Sequence, residues 1–134
     1  MPFTGPIEDR VAIRETIDAY SDAVVRHDPE AWIANWCDDG EWRLPGINVA
    51  GKDQIKAAWS QAMKQFSLAA FFASPGSIEV IGGRAEARVL TQEVLVDQAG
   101  AVRRIIGAYD DVLEKREGRW LFLSRTYRIL RDET

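Results

Sequence analysis

The stretch YSDAVVRHDPEAWIANWCDDGEW, residues 20–42, decides how the rest of the chain can be arranged. It opens on the tail of an amphipathic helix, residues 7–26, whose apolar positions Ile13, Ile17, Tyr20 and Val24 recur at helical spacing. Arg10, Arg14, Glu15 and Asp18 take the other sides, so this helix is laid on something. Asp28 then precedes Pro29 and Glu30, a helix start built from a capping side chain, a fixed φ and an acidic first turn. The pattern predicts a short second helix over 29–37 carrying Trp32, Ile33 and Trp36, ended by Asp38, Asp39 and Gly40. Glu41 to Leu44 reads as a strand. The whole stretch is expected to form the floor and one wall of a small-molecule pocket.

Outward from there, residues 1–6 read as a loose lead-in, with Gly5 and Pro6 against regular structure. Pro45, Gly46 and Asn48 form a loop. A third helix is predicted over 52–70, with Ile55, Trp59, Ala62, Met63 and Phe66 on its buried side. After Ser74-Pro75-Gly76 the character changes to β-rich runs over 77–81, 84–96, 101–115 and 119–130. Short turn-forming connections join them, as between antiparallel neighbours. Helices segregated from such strands mean α+β. Long twisted strands curl around what packs on them, so three helices on a curled, mainly antiparallel sheet give a cone-shaped α+β barrel. Its cavity is a natural ligand site.

The 134 residues fit a single domain, 1–134. With 17 basic against 21 acidic residues the net charge is -4, and no basic cluster interleaves with aromatics, so no nucleic-acid partner is expected. The one cysteine, Cys37, allows no internal disulfide and fits a reducing compartment. The N-terminus lacks a basic, then apolar, signal pattern, and the longest apolar run, Leu68 to Ala73, cannot span a bilayer. No membrane association is expected, and a cytoplasmic location is. One His and one Cys without metal-ligand spacing give no metal site, and no cofactor is called for.

Taken together, Tyr20-x-Asp22, Asp28, Trp36-x-Asp38-Asp39-x-Glu41-Trp42, Gly51-Lys52, Gly107-x-Tyr109-x-Asp111 and Gly118-x-Trp120 followed by Arg125 resemble one family. It is the nuclear-transport-factor-2-like superfamily, in its SnoaL-like (polyketide-cyclase-like) branch, over about residues 8–130. Residues 20–42 look most like the hexachlorocyclohexane dehydrochlorinases, and scytalone dehydratase is a more distant comparison. The resemblance implies cofactor-independent dehydratases, dehydrohalogenases, isomerases or cyclases for small hydrophobic molecules. It also covers binding and assembly modules.

By that resemblance Asp28 is a general base, although a carboxylate before Pro-Glu is equally a plain helix cap. Arg125 corresponds to an arginine facing the substrate, where a guanidinium would stabilise a developing anion. Its charge needs a partner, with Asp28 the favoured choice over Asp110 and Asp111. Tyr20 is a candidate hydrogen-bond donor to substrate, or a core residue. The family's partner histidine is replaced by Phe71, and the only histidine, His27, adjoins Asp28 without being able to face it. Trp42 and Phe71 are expected to line the cavity, with Trp32, Met63, Phe66, Leu90, Ile106 and Asp110 as further substrate-binding positions. Which face of strand 101–115 points inward is open, because Asp110 shares one side with Ala108 and Ile106 while Tyr109 and Asp111 share the other.

The function expected is a cofactor-independent lyase or isomerase acting on a hydrophobic small molecule. A non-catalytic binding protein is the first alternative, since Phe71 in the histidine position suits a pocket without chemistry. A structural subunit resembling the small subunits of ring-hydroxylating dioxygenases is the second. A homodimer through the outer sheet face is expected, with Ile105, Leu113, Leu121 and Leu123 as the surplus apolar surface.

Overall fold

The computed structural model describes residues 2–134. In chain order the elements are β1 (Phe3–Thr4), α1 (Ile7–Arg26), α2 (Pro29–Ile33), β2 (Trp36–Leu44), β3 (Ile47–Ala50), α3 (Lys52–Met63), β4 (Phe66–Ile81), β5 (Arg84–Asp97), β6 (Val102–Arg116) and β7 (Arg119–Glu133). All strands join one sheet in the order β1-β4-β5-β6-β7-β2-β3. The pairs from β4 through β7 are antiparallel; β2 runs parallel to β7 and β1 parallel to β4. The helices cover one face, giving the expected cone-shaped α+β architecture.

The first helix lies as its apolar stripe requires. Ile13, Ile17, Tyr20, Ala23 and Val24 are buried, and the Thr16 hydroxyl donates to the Trp120 carbonyl of β7 at 2.7 Å. His27 closes the helix in the left-handed region at φ 52, and the Asp28 amide reaches back to the Ala23 carbonyl. His27 itself is exposed.

Several boundaries differ from those the sequence suggests. The second helix stops at Ile33 rather than residue 37. There the Asn35 amide group donates to the carbonyls of Ala31 and Trp32, while the Asn35 carbonyl accepts from Phe122 N–H. Asn35 thus caps the helix and hands the chain to the sheet, and Trp36 already pairs with Phe122. Asp38 to Gly40 form a bulge inside β2, not a helix end. Its tightness calls for glycine, because a Cβ on Gly40 would lie 2.9 Å from Trp36 Cε3.

The third helix ends at Met63, and residues 66–73 are strand. Helix-forming Leu and Ala there yield to a ladder with β5 that runs from Phe66 to Ile81. Ser74-Pro75-Gly76 is a bulge within β4 rather than its start, and Pro75 sits where its missing N–H breaks no second ladder. Residues 47–50, expected as loop, form β3 paired with β2. Of the expected lead-in, Phe3 and Thr4 pair with Ile78 and Glu79, while Met1 lies outside the described residues.

The open question about β6 is resolved: Tyr109, Asp111 and Leu113 face the helices, and Asp110 faces out. Ile105 and Leu113, expected on the outer surface, are buried on the concave side. The outer face instead exposes Phe72, Leu90, Ile106 and Leu130. Among the described residues no helix is long and apolar enough to cross a membrane.

Candidate functional site

The concave face is best read as rows of cross-strand partners. One row holds Trp42, Arg125, Asp111, Ala87 and Ile78 on five adjacent strands. The next holds Tyr127, Tyr109 and Val89, and the one after it Ile129, Gly107, Thr91 and Ala73. The fourth holds Asp132, Ile105, Glu93 and Phe71. Small residues (Ala87, Gly107, Ala73) alternate with large ones, so long side chains from one strand can lie across the next.

Arg125 and Asp111 anchor the closed end, and both side chains are fully sealed at 0% exposure. Arg125 Nε donates to Asp111 Oδ1 at 2.7 Å and Nη2 to Oδ2 at 3.0 Å, the two-pronged geometry of a strong ion pair. Rings surround the guanidinium: its carbon lies 3.8 Å from the Tyr109 centroid, 4.2 Å from Phe122 and 4.5 Å from Tyr20. Nη1 has no hydrogen-bond partner. Burial raises the Asp111 carboxyl above its ordinary value, against the pull of Arg125. For Arg125, burial works against the charge, but Asp111 holds the group protonated above its ordinary range. The favoured pairing with Asp28 is therefore corrected. Asp111 stands directly across β6–β7 from Arg125, a proximity that sequence separation hides.

Asp28 is instead the cap of α2. Its Oδ1 accepts from Ala31 N–H at 3.0 Å and its Oδ2 from Arg26 at 3.0 Å, and its side chain is 37% exposed. The backbone bond from Ala31, then the Arg26 contact, hold the carboxyl below its ordinary value. The structure does not bring Asp28 and Arg125 together.

The aromatic side chains of the helices pack together with those of the concave face. Tyr20 packs 5.3 Å from Trp32, 5.7 Å from Phe71 and 5.5 Å from Phe122, centroid to centroid, and Trp32 stacks on Trp59 at 4.7 Å. Trp42 Nε1 donates to the Tyr109 hydroxyl at 3.2 Å. Burial lifts the Tyr20 and Tyr109 phenols above their ordinary value, so both remain protonated donors. Met63 is buried beside this cluster and Phe66 half-buried. Leu90, Ile106 and Asp110 do not join it. Leu90 and Ile106 are 53% and 40% exposed and line a shallow outer recess of about 280 Å³ with Phe72 and Gln92. Asp110 is paired with Arg128 at 2.8 Å on that same outer side. Strand alternation puts them there once Tyr109 and Asp111 face inward. Cys37 is buried, and burial pushes its thiol up to about 11, which leaves it unreactive.

The sequence reading missed Glu93. It follows Thr91 on the concave side of β5, and its carboxylate accepts hydrogen bonds from the Tyr127 hydroxyl and from Thr91 Oγ1 at 3.3 Å. Burial raises its pKa, opposed by the Tyr127 and Thr91 hydrogen bonds. Tyr127 reaches it by lying flat over Gly107, where a Cβ would come within 2.5 Å of the ring and hydroxyl. The available signal was the alternation Ala85, Ala87, Val89, Thr91, which continues inward to Glu93.

Residues 6–126 match the model of the SnoaL-like domain. The sequence matches none of the curated proteins at a significant level. Among solved structures, one named for scytalone dehydratase from Novosphingobium aromaticivorans superposes with a TM-score of 0.88 at 21% identity, over 94% of this chain and 87% of that one. A hexachlorocyclohexane dehydrochlorinase, LinA type 2, gives 0.86 at 15% identity, over 94% and 88%. The LinA type 3 enzyme of Novosphingobium barchaimii gives 0.84 at 17%, over 94% and 89%. At these identities the likeness is one of fold.

Proposed function

The chain belongs to the SnoaL-like domain family, and from that premise we propose that it is a cofactor-independent lyase or isomerase acting on a hydrophobic small molecule. The molecule lies against the concave face, with Trp42, Phe71, Trp32, Met63 and Phe66 as its apolar wall. The observation that carries this reading is the sealed Arg125. Its charge is held in place by Asp111, it is shielded by three aromatic rings, and its Nη1 amino group has no partner. A fixed donor in a dry site stabilises negative charge that develops on an oxygen or a departing halide. Tyr20 adds a protonated phenol beside it. Asp28 fits the base role poorly, because both its oxygens are occupied and its low pKa leaves little drive to take a proton.

The test is turnover by the purified protein on hexachlorocyclohexane, on scytalone and on a set of small β-hydroxy and β-halo carbonyl compounds. At least one is expected to lose HX or water, with Arg125→Lys, which keeps the charge but not the fork, reducing kcat. Binding without any product across the panel overturns the proposal in favour of a non-catalytic pocket. The apolar Phe71 ring, packed 5.7 Å from Tyr20, is the observation that favours that second reading.

The outer face of the sheet suits a second copy of the chain, since Phe72, Leu90, Ile106 and Leu130 form an exposed apolar stripe there. Sizing in solution separates a dimer from a monomer, and from a subunit that assembles only with an unlike partner.

A further inference from the structure

We propose that Glu93 is the acid–base residue of this site, its carboxylate presented to the substrate by Tyr127 and Thr91. The inference rests on the lyase or isomerase reading above and names the group that reading lacks.

Three observations converge on this side chain. Tyr127 and Thr91 both donate to Oε2, which leaves Oε1 as the oxygen that can face a ligand. Its neighbours along the row are apolar: Phe71 on β4 and Ile105 on β6 are its cross-strand partners. Desolvation by such surroundings disfavours the charged form, and burial is the largest cause of the raised pKa. Finally, this end of the concave face is the less buried one. Phe66, Ala73, Leu95 and Tyr127 are half-buried, as is Glu93, and Ile129 is exposed, whereas the Arg125–Asp111 row is sealed. A recess of about 190 Å³ bordered by Val94, Ile105 and Arg131 reaches Glu93.

Charged and titratable groups approach Glu93 from β6 and β7, and Arg104, Arg131 and Glu133 border the same recess. Tyr127 comes from β7. Arg103 on β6 is tied to Asp132 by two hydrogen bonds, and Arg125 lies deeper, close enough for its charge to favour the carboxylate. Burial, then the neighbouring Glu93 charge, hold the Tyr127 phenol well above its ordinary value. The tyrosine therefore remains a donor while the carboxylate does the exchange.

In an elimination, Glu93 Oε1 takes the proton from the substrate carbon. The C–H electron pair becomes the second bond of the alkene, and the leaving group departs with the C–X pair, its charge stabilised by Arg125. A halide leaves as the anion, and Glu93 then loses the proton to solvent. A hydroxyl leaves as water, with Glu93 returning the proton to the departing oxygen. No oxidant, metal or second substrate enters the balance.

The experiment joins kinetics on the panel above to a titration of the Glu93 carboxyl in the intact wild-type protein by carbon-13 NMR. The carboxyl is expected to titrate above the ordinary glutamate value of 4.5. Glu93→Gln is expected to lower kcat by about 100-fold or more, the usual range for losing a general base, with KM little changed. Tyr127→Phe removes a hydrogen bond that favours the charged form, so it is expected to move the acidic limb of the kcat–pH profile upward. A purely structural tyrosine would leave that limb in place. If the wild type turns over and Glu93→Gln does so equally well, the assignment fails while the lyase reading stands. If the wild type binds but never converts the panel, both fail together. A carboxyl titrating at or below 4.5 overturns the assignment whatever the kinetics.

Discussion

At the α1–α2 junction and on the concave face, the same chain sets a carboxylate beside an arginine to opposite effect. Asp28 and Arg26 meet near water, where the pair adds little beyond the helix cap. Asp111 and Arg125 meet with no solvent contact, where each depends on the other for its charge to be tolerable. Glu93 lies between these extremes, half-buried, with one carboxylate oxygen accepting from Tyr127 and Thr91. The lesson is that residue type sets the available chemistry, while the surrounding dielectric decides which carboxylate can use it.

The sharpest way to break this contrast is to orphan one partner of the sealed pair. Arg125→Ala or Asp111→Ala is expected to cost about 3–5 kcal/mol of unfolding free energy, because the remaining charge is buried unpaired. Arg125→Met combined with Asp111→Leu is expected to recover most of it. Urea denaturation of the three proteins decides this, and additive losses in the double variant would contradict the pairing.

A smaller effect is expected at Gly107. An added methyl would meet the Tyr127 ring at 2.5 Å, so Gly107→Ala forces the tyrosine off Glu93 at about 1–3 kcal/mol of overpacking. Thermal unfolding measures the cost. A shift in the ultraviolet absorption of Tyr127, absent from a Tyr127→Phe background, reports the lost contact.

The smallest effect belongs to Asp28. Its folded pKa is lowered, so the stability it contributes is present above its ordinary value of 3.8 and is lost as pH falls through the folded value. Asp28→Ala is expected to lower Tm slightly at neutral pH, with the deficit fading in acid. Asp28→Asn, which can still accept from Ala31, should stay close to wild type. A large loss of turnover in Asp28→Asn with Tm unchanged would restore this residue as the base.

The legible parts of the molecule were those that local chemistry fixes. The stripe Ile13, Ile17, Tyr20 and Val24 specified α1, and Asp28-Pro29-Glu30 specified the start of α2. The hairpin turns, including Glu117-Gly118 with both φ positive, fixed the order of the long strands. Boundaries were misread where tertiary pairing overrode propensity, as at Phe66 to Ala73, whose Leu and Ala suit a helix but which β5 holds as strand. Site residues were misread wherever strand phase mattered. Leu90, Ile106 and Asp110 were assigned to the cavity, and alternation put all three outside.

The sequence by itself determined that the chain folds as α+β, with helices first and an antiparallel sheet after, and that it carries aromatic residues enough for a dry interior. Periodicity, caps and turns are encoded within a few residues, so no long-range contact was needed to read them. Only the tertiary structure decided that Arg125 pairs with Asp111 and that Glu93 faces Tyr127 across a glycine. Those outcomes depend on register between strands far apart in the chain. A shift of one residue turns every side chain to the opposite face, and burial then sets which charges persist.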